Sequence, residues 1–281
     1  MKKAKIAVII IAAVMVLVGC IIAFFGIASI GFELDKLSTG ETVEHDYPVD
    51  ADFDSISAES LIADIKIAMS TDGKCRVAAT DDERTQLSVY VENGVLKIVQ
   101  TDERKWYEKI GIFLTKTEIV IYLPKTEYDS LYVTNDIGDV IVPGGFVFGF
   151  AEINTDTGDV EFSSKVINKL TAGTDTGRVT VSNVTCKQID VEVDTGKVTL
   201  ESVIASSDMR LETSTGDVKL DMCDAAEIYI KTSTGSVSGT LLSEKQFFTK
   251  TSTGRISVPP SGNGGRCEIV TSTGDIRIEI N

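Results

Sequence analysis

The chain has 281 residues, 43% of them hydrophobic and 25% charged, and a formal net charge of −15. Residues 1–30 hold three lysines and no acid, so residues 31–281 carry −18. Such an excess of negative charge argues against a nucleic-acid partner and against anionic lipid headgroups. One histidine and five cysteines, without a CxxC motif or a Cys/His cluster, point away from a thiolate-imidazole metal site and from a disulfide framework.

Lys2, Lys3 and Lys5 precede an uncharged run from Ile6 to Ile30, and Glu33 and Asp35 follow it. As a helix, this 25-residue run would span roughly 38 Å, enough to cross a bilayer with some tilt. Positive charge on the N-terminal side predicts residues 1–5 as a cytoplasmic tail and residues 6–30 as a single transmembrane helix. Everything beyond it then lies outside a bacterial cell membrane, and the lipid bilayer is the first expected partner. A cleaved signal peptide normally has a shorter apolar core, of about 7–15 residues. Leu17-Val18-Gly19-Cys20 resembles a bacterial lipoprotein box, with Cys20 as the lipidated residue. The apolar run continues through Ile21-Ile22-Ala23-Phe24-Phe25, which favours the uncleaved helix. Both readings leave the remainder outside the membrane.

Residues 31–50 read as a polar juxtamembrane linker. It contains His45, the only histidine. A Ser-His-Asp or Cys-His system would need that side chain inside the folded domain, so His45 reads as an ordinary solvated residue. Residues 51–130 have strand-like alternation without a fixed period, and read as an irregular β cap with degenerate coils. Ile62-Ala63-Asp64-Ile65-Lys66-Ile67 looks like one such coil, with Ala63 in a turn position. Leu87–Val91, Asn93-Gly94 and Val95–Val99 give a hairpin signal. Ile119–Leu123 ends at Pro124, which stops strand pairing. Trp106 and Tyr107 sit near Asp102-Glu103-Arg104-Lys105, either as an exposed contact point or as a cap loop.

Residues 131–281 are a regular array. Eight short turns, from NDIGDV to TSTGDI, place glycines at Gly138, Gly158, Gly177, Gly196, Gly216, Gly235, Gly254 and Gly274, at intervals of 19 or 20 residues. A fixed period of that length marks a solenoid, in which each repeat is one coil stacked on another. Seven and five residues before each glycine, and two and four after it, the positions are mostly aliphatic. Spacing by two is strand periodicity with one face buried. The fold class is therefore all-β: a parallel β-solenoid of coils of about 19–20 residues, with an irregular β cap and one transmembrane helix before it. The chain stops soon after its last core strand, so the C-terminal edge at Asn281 is expected to be unpaired and open to self-association.

The acidic turns are the candidate ligands. Asp136 with Asp139, and Asp156 with Asp159, put two carboxylates in one turn, and stacking adds Asp175 and Asp194 to a column. Such an array suits Ca²⁺, which takes several oxygen ligands. Turn stabilisation explains the same residues, because Asp and Ser side chains bond nearby backbone N–H groups. Paired acids on a β-helix also suit a glycan lyase or hydrolase, but here the coils are short and the loops minimal. The TxT pairs suggest the flat threonine ladder of an ice-binding face, yet each runs straight into a glycine turn. Cys75, Cys186, Cys223 and Cys267 read as buried, mostly unpaired thiols. No catalytic set and no cofactor site emerge.

The repeated T-[SD]-T-G-[DRKS]-[VI], preceded by I-x-I-Y-L-P at residues 119–124, resembles the bacterial putative-adhesin family of β-strand-repeat proteins, a family of unknown function. The resemblance covers about residues 50–281. With the N-terminal helix the chain looks like the membrane-anchored members, some of which are associated with envelope-stress operons. The repeat and the membrane segment together point to non-catalytic binding or scaffolding at the cell envelope, with an unknown envelope protein or polysaccharide as partner. An accessory role in envelope-stress signalling and a glycan-active enzyme are the alternatives.

Overall fold

A computed structural model of the chain describes residues 42–82, 85–102 and 117–281, together with residues 15, 16, 18 and 19. Met15, Val16, Val18 and Gly19 are helical. Among the described residues no helix is long and apolar enough to cross a membrane. Most of the expected 6–30 span, Cys20 included, lies outside the described residues, as do Trp106 and Tyr107.

Seven strands precede the regular array: β1 (Thr42–Val49), β2 (Ser55–Ile62), β3 (Asp64–Met69), β4 (Cys75–Asp82), β5 (Gln86–Glu92), β6 (Val95–Thr101) and β7 (Glu118–Leu123). Each coil of the array then has a longer strand before its turn glycine and a shorter one after it. They are β8 (Glu127–Ile137) with β9 (Val140–Val142), β10 (Val147–Thr157) with β11 (Val160–Phe162), and β12 (Lys165–Thr176) with β13 (Val179–Ser182). Next come β14 (Thr185–Thr195) with β15 (Val198–Glu201), and β16 (Ile204–Thr215) leading into β17 (Val218–Thr234). β17 runs through a full coil and is followed by β18 (Val237–Leu241), β19 (Gln246–Thr253), β20 (Ile256–Ser257), β21 (Arg266–Thr273) and β22 (Ile276–Ile280).

Equivalent strands pair in parallel and in register. Leu131, Ala151, Leu170, Ile189, Met209 and Ile228 form one column, and Val140, Val160, Val179, Val198, Val218 and Val237 form another. All twelve are buried, which makes a continuous core that one coil could not bury alone. Each fully buried aliphatic side chain contributes roughly 1.5–3 kcal/mol, so stability grows coil by coil.

The turn column has a steric cause. Gly196 adopts φ +149°, and a Cβ there would stand 1.6 Å from the carbonyl oxygen of Gly177 in the adjacent coil. Both the left-handed backbone and the close approach require glycine. At Gly138 the neighbouring carbonyl belongs to Ala63, at 2.2 Å from the same virtual atom. Ala63 thus occupies the turn position of a coil made by β2 and β3, which stack directly on β8 and β9.

The N-terminal end is capped. β6 lies outside β2 and β7 outside β3; β5 pairs antiparallel with β6, and β4 with β7. The β5–β6 hairpin turns at Asn93 and Gly94, both with positive φ. β1 pairs antiparallel with β4, so residues 42–49 are a strand rather than the linker expected for residues 31–50. His45 is an exposed member of that strand.

The C-terminal end corrects the sequence expectation. β21 pairs with β17 on one side and β19 on the other; β22 pairs with β18 and β20. The last coil in sequence is therefore inserted beneath the penultimate one. The open edge belongs to β19 and β20, not to the strand ending near Asn281, whose N–H donates to Leu241 O at 2.9 Å.

Candidate functional site

The turn acids divide into two sets. Asp139 Oδ1 accepts the Asp159 N–H at 2.8 Å, Asp159 Oδ1 accepts the Arg178 N–H at 2.7 Å, and Asp64 Oδ1 accepts the Asp139 N–H at 3.0 Å. Asp217 Oδ1 takes the Ser236 N–H and Asp275 Oδ1 the Arg255 N–H, each at 2.8 Å. Where an acid stands in this column, it ties its turn to the neighbouring coil. At Asp275 the Arg255 backbone N–H bond, followed by the Arg255 side-chain bond, holds the carboxyl below its ordinary value.

Asp136, Asp156, Asp175 and Asp194 are exposed instead. The last three line a shallow groove of about 340 Å³ with Asn154, Thr155, Gly173, Thr174 and Glu192. Asp136 and Asp156 thus stand apart in role from Asp139 and Asp159, although each pair shares a turn. Among the described residues no group of three or more His, Cys, Asp or Glu side chains is arranged to hold a metal ion.

The first threonine of each TxT pair is also structural. Thr155, Thr174, Thr232 and Thr271 are buried, and their hydroxyls donate to the carbonyls of Gly138, Gly158, Gly216 and Gly235 at 2.9–3.2 Å. Only the second threonine of a pair faces solvent, so the two-threonine face of an ice-binding ladder is not formed. Cys75, Cys186, Cys223 and Cys267 are free and buried. Burial pushes the Cys267 thiol up to about 12 and those of Cys75 and Cys186 up to about 11. Nucleophilic thiolate chemistry at neutral pH is not expected of them.

The period breaks at the open end. Two core columns arrive there unfinished: Ile256 is 45% exposed, and Phe247 and Val258 are only partly buried. Phe248 lies outward, with the Arg266 guanidinium 4.1 Å from its ring centroid. β20 has only two residues, Ile256 and Ser257, whereas β22 beneath it has five. Pro259 and Pro260 then lead the chain away. The result is an open groove of about 700 Å³ bounded by Val237, Arg255, Ile256, Ser257, Ile276 and Arg277, among others.

A buried cation fixes this arrangement. To reach β19 from β18 the chain must skip one coil position, and Lys245 sits at that crossing with its side chain only 4% exposed. Its Nζ lies 2.5 Å from Asp224 Oδ1 and donates to Ala225 O at 2.7 Å and Ser243 Oγ at 2.8 Å. The return loop passes so closely that a Cβ at Gly264 would lie 1.6 Å from Glu244 O. None of these residues stands out by motif. The available signals were the polar Thr249 in an aliphatic column and the lack of any acid in residues 246–265.

The family model described as Toastrack DUF4097 matches residues 53–281. Solved structures with the same fold include a putative adhesin from Bacteroides fragilis, 17% identical, with a TM-score of 0.55 over 86% of this chain and 99% of that one. A putative adhesin from Parabacteroides merdae is 13% identical, with a TM-score of 0.55 over 86% and 98% of the two chains. A putative lipid binding protein from Parabacteroides distasonis is 18% identical, with a TM-score of 0.54 over 86% and 98%. At these identities the likeness concerns the fold. No curated protein is similar to the chain.

Proposed function

Because the chain belongs to the Toastrack DUF4097 family, we propose that it is a non-catalytic binding or scaffolding protein of the bacterial cell envelope. The observation that carries this reading is the role of the conspicuous polar repeat. Asp139, Asp159 and the buried threonines bond neighbouring coils, so the array builds a rod with repeated faces. The names of the solved relatives, adhesins and a lipid-binding protein, agree with binding rather than turnover.

Anchoring forms part of the proposal and rests on the sequence alone. The uncharged residues 6–30 would hold the protein in the membrane with its N-terminus in the cytoplasm and the solenoid outside. The partner would be an envelope protein or polysaccharide.

The test is to offer the full-length protein isolated cell-wall polymers and purified envelope proteins, with and without Ca²⁺. Saturable capture without chemical change of the ligand is expected. Capture that needs Ca²⁺ and is lost in Asp136→Asn or Asp156→Asn would place a cation site in the turns. Glycan cleavage abolished by Asp156→Asn or Asp159→Asn would replace the binding reading with an enzymatic one. Recovery of the full-length chain entirely in the soluble fraction of its host would remove the anchor.

A further inference from the structure

The outermost coil is built unlike the coil beneath it. None of residues 246–260 is fully buried, whereas the inserted coil below buries Cys267, Ile269, Ile276 and Ile278. Toward the core the outer coil offers only the partly buried Phe247 and Val258, with the polar Thr249 in a column that is otherwise mostly aliphatic. β20 is two residues long, both exposed, and Pro259 and Pro260 follow it closely. This coil is therefore held mainly by hydrogen bonds. They are the β19–β21 ladder, Thr251 Oγ to Gly274 O at 3.0 Å, and the Arg255 N–H to Asp275 Oδ1 at 2.8 Å, with an exposed Arg255–Asp275 ion pair at 3.2 Å. Water can replace such bonds on opening, whereas it cannot replace buried apolar contacts.

Both ends of the coil are fastened. At its start Lys245 Nζ is buried against Asp224 Oδ1 and Ala225 O. Past its end the Gly262 N–H donates to Lys245 O at 2.9 Å, and a Cβ at Gly265 would lie 1.7 Å from Ala226 O. Weakly buried along its length and fixed at both ends, the segment is a strap and not a fraying terminus. The coil beneath has its own support. Cys267 and Ile269 pair in register with Ile228 and Ile230 of β17, and Ile276 and Ile278 with Val237 and Gly239 of β18. The strap covers the other side of that coil, through Phe247, Thr249 and Ile256.

We propose that residues 246–260 open as a unit from the otherwise native protein, pivoting on Lys245 and on the 261–265 loop, and uncover the β21–β22 coil. Closed, the rod ends in a short coil with Thr249 inward and Lys250 outward, which suits an edge strand in water. Open, it ends in the row of Cys267, Ile269, Ile276 and Ile278. The end thus has two states of different polarity, whatever the protein binds.

Cys267 reports the opening. It is fully buried in register with Phe247, and burial pushes its thiol up to about 12, so it reacts only when uncovered. Cys223 lies deeper, in register with Leu241, and Cys186 deeper still. The full-length protein is alkylated with iodoacetamide at about pH 8. Each cysteine is followed by peptide mapping, and its rate is divided by that in the unfolded chain. Cys267 should react about tenfold faster than Cys223 and Cys186, or more. Its rate should also rise less steeply with urea, because the opening exposes only part of the surface.

Two variants separate the strap from deeper unfolding. Thr251→Val removes the bond to Gly274 O and should speed Cys267 about three- to tenfold. Leu220→Val removes a methylene from the buried core of an inner coil. It should speed Cys223 about fivefold and leave Cys267 unchanged, because the opening does not disturb that coil. Amide exchange should be faster in peptides covering 246–258 than in those covering 266–280.

Equal rates and equal urea dependence at Cys267 and Cys223 would overturn the proposal. So would a Cys267 rate that ignores Thr251→Val, or one that Leu220→Val speeds as much as it speeds Cys223. Faster amide exchange in 266–280 than in 246–258 would make the inserted coil the moving element and overturn it equally.

Discussion

Thr251 Oγ donates to the carbonyl oxygen of Gly274, 3.0 Å away and 23 residues later in the chain. The same ladder runs backward elsewhere: Thr271 reaches Gly235 and Thr232 reaches Gly216. A single pair of hydrogen bonds, Thr271 to Gly235 and Thr251 to Gly274, thus records that the last coil lies inside the penultimate one. The chain leaves β18, bypasses a coil position under the hold of Lys245 and Asp224, and returns to fill it.

That order can be checked by cross-linking. Lys250 and Val270 are register partners, and so are Val270 and Lys231. The double variant Lys231→Cys with Val270→Cys should form a disulfide on mild oxidation, since neighbouring strands lie about 4.8 Å apart. Lys231→Cys with Lys250→Cys should not, because two strand spacings, about 9.6 Å, exceed disulfide reach. Peptide mapping after oxidation distinguishes the two, and the opposite result would mean that the coils stack in sequence order.

The turn column separates two costs of replacing glycine. Gly73 has φ +72° with open space around its missing Cβ, so Gly73→Ala should lose about 1–2 kcal/mol from backbone strain alone. Gly196→Ala adds an atom 1.6 Å from Gly177 O, and should lose more than about 4 kcal/mol or fail to fold. Denaturant unfolding of both variants measures the difference. Similar small losses would show that neighbouring coils yield more easily than their spacing suggests.

The column of buried threonines has two exceptions, Asn135, whose side-chain amide still donates to Ala63 O at 2.9 Å, and Val193. Val193, paired in register with Thr174 and Thr213, is also buried and offers no donor to Gly177 O. Val193→Thr should supply the missing bond and raise stability by about 0.5–1 kcal/mol. A loss instead would mean that the hydroxyl is not delivered to the carbonyl. In the companion column, Asp159→Ala should cost about 1–2 kcal/mol, whereas Asp159→Asn should retain most of that because its carbonyl can still accept the Arg178 N–H.

The columns were legible because each chemical requirement repeats eight times. Gly196 and its equivalents showed the bend, the valines at Val179 and Val198 showed the core, and Ala63 could be placed in an irregular coil by analogy. Coil order was not legible for the same reason. Equivalent coils present equivalent faces, so the Gly254 and Gly274 turns fit above Gly235 equally well by pattern. What distinguishes them is weaker: Thr249 stands where a core aliphatic is expected, and Pro259 and Pro260 cut β20 short. Those are features of an outermost coil. The sequence pattern therefore points to an edge near Asn281, whereas packing places it one repeat earlier, at β19 and β20. The acids also looked alike in sequence, and only the bond from the Asp159 N–H to Asp139 separates the structural column from the exposed Asp156 and Asp175.

The buried thiols predict how stability responds to alkali. In the folded chain burial moves Cys75 and Cys186 from 9.0 up to about 11, and Cys267 up to about 12. Their protonated state is favoured by folding, so this contribution is fully present below pH 9. Above pH 9 the unfolded chain releases these protons first, and stability falls until the folded-state values near 11–12 are passed. For Cys75 alone the loss is about 3 kcal/mol across that window. Unfolding free energy under reducing conditions should therefore decline from pH 9 to pH 11, and less so in Cys75→Ala and Cys186→Ala relative to each variant's own value at pH 8. If both variants follow the wild-type pH profile without change, ionisation of these thiols is not what the alkaline transition reports.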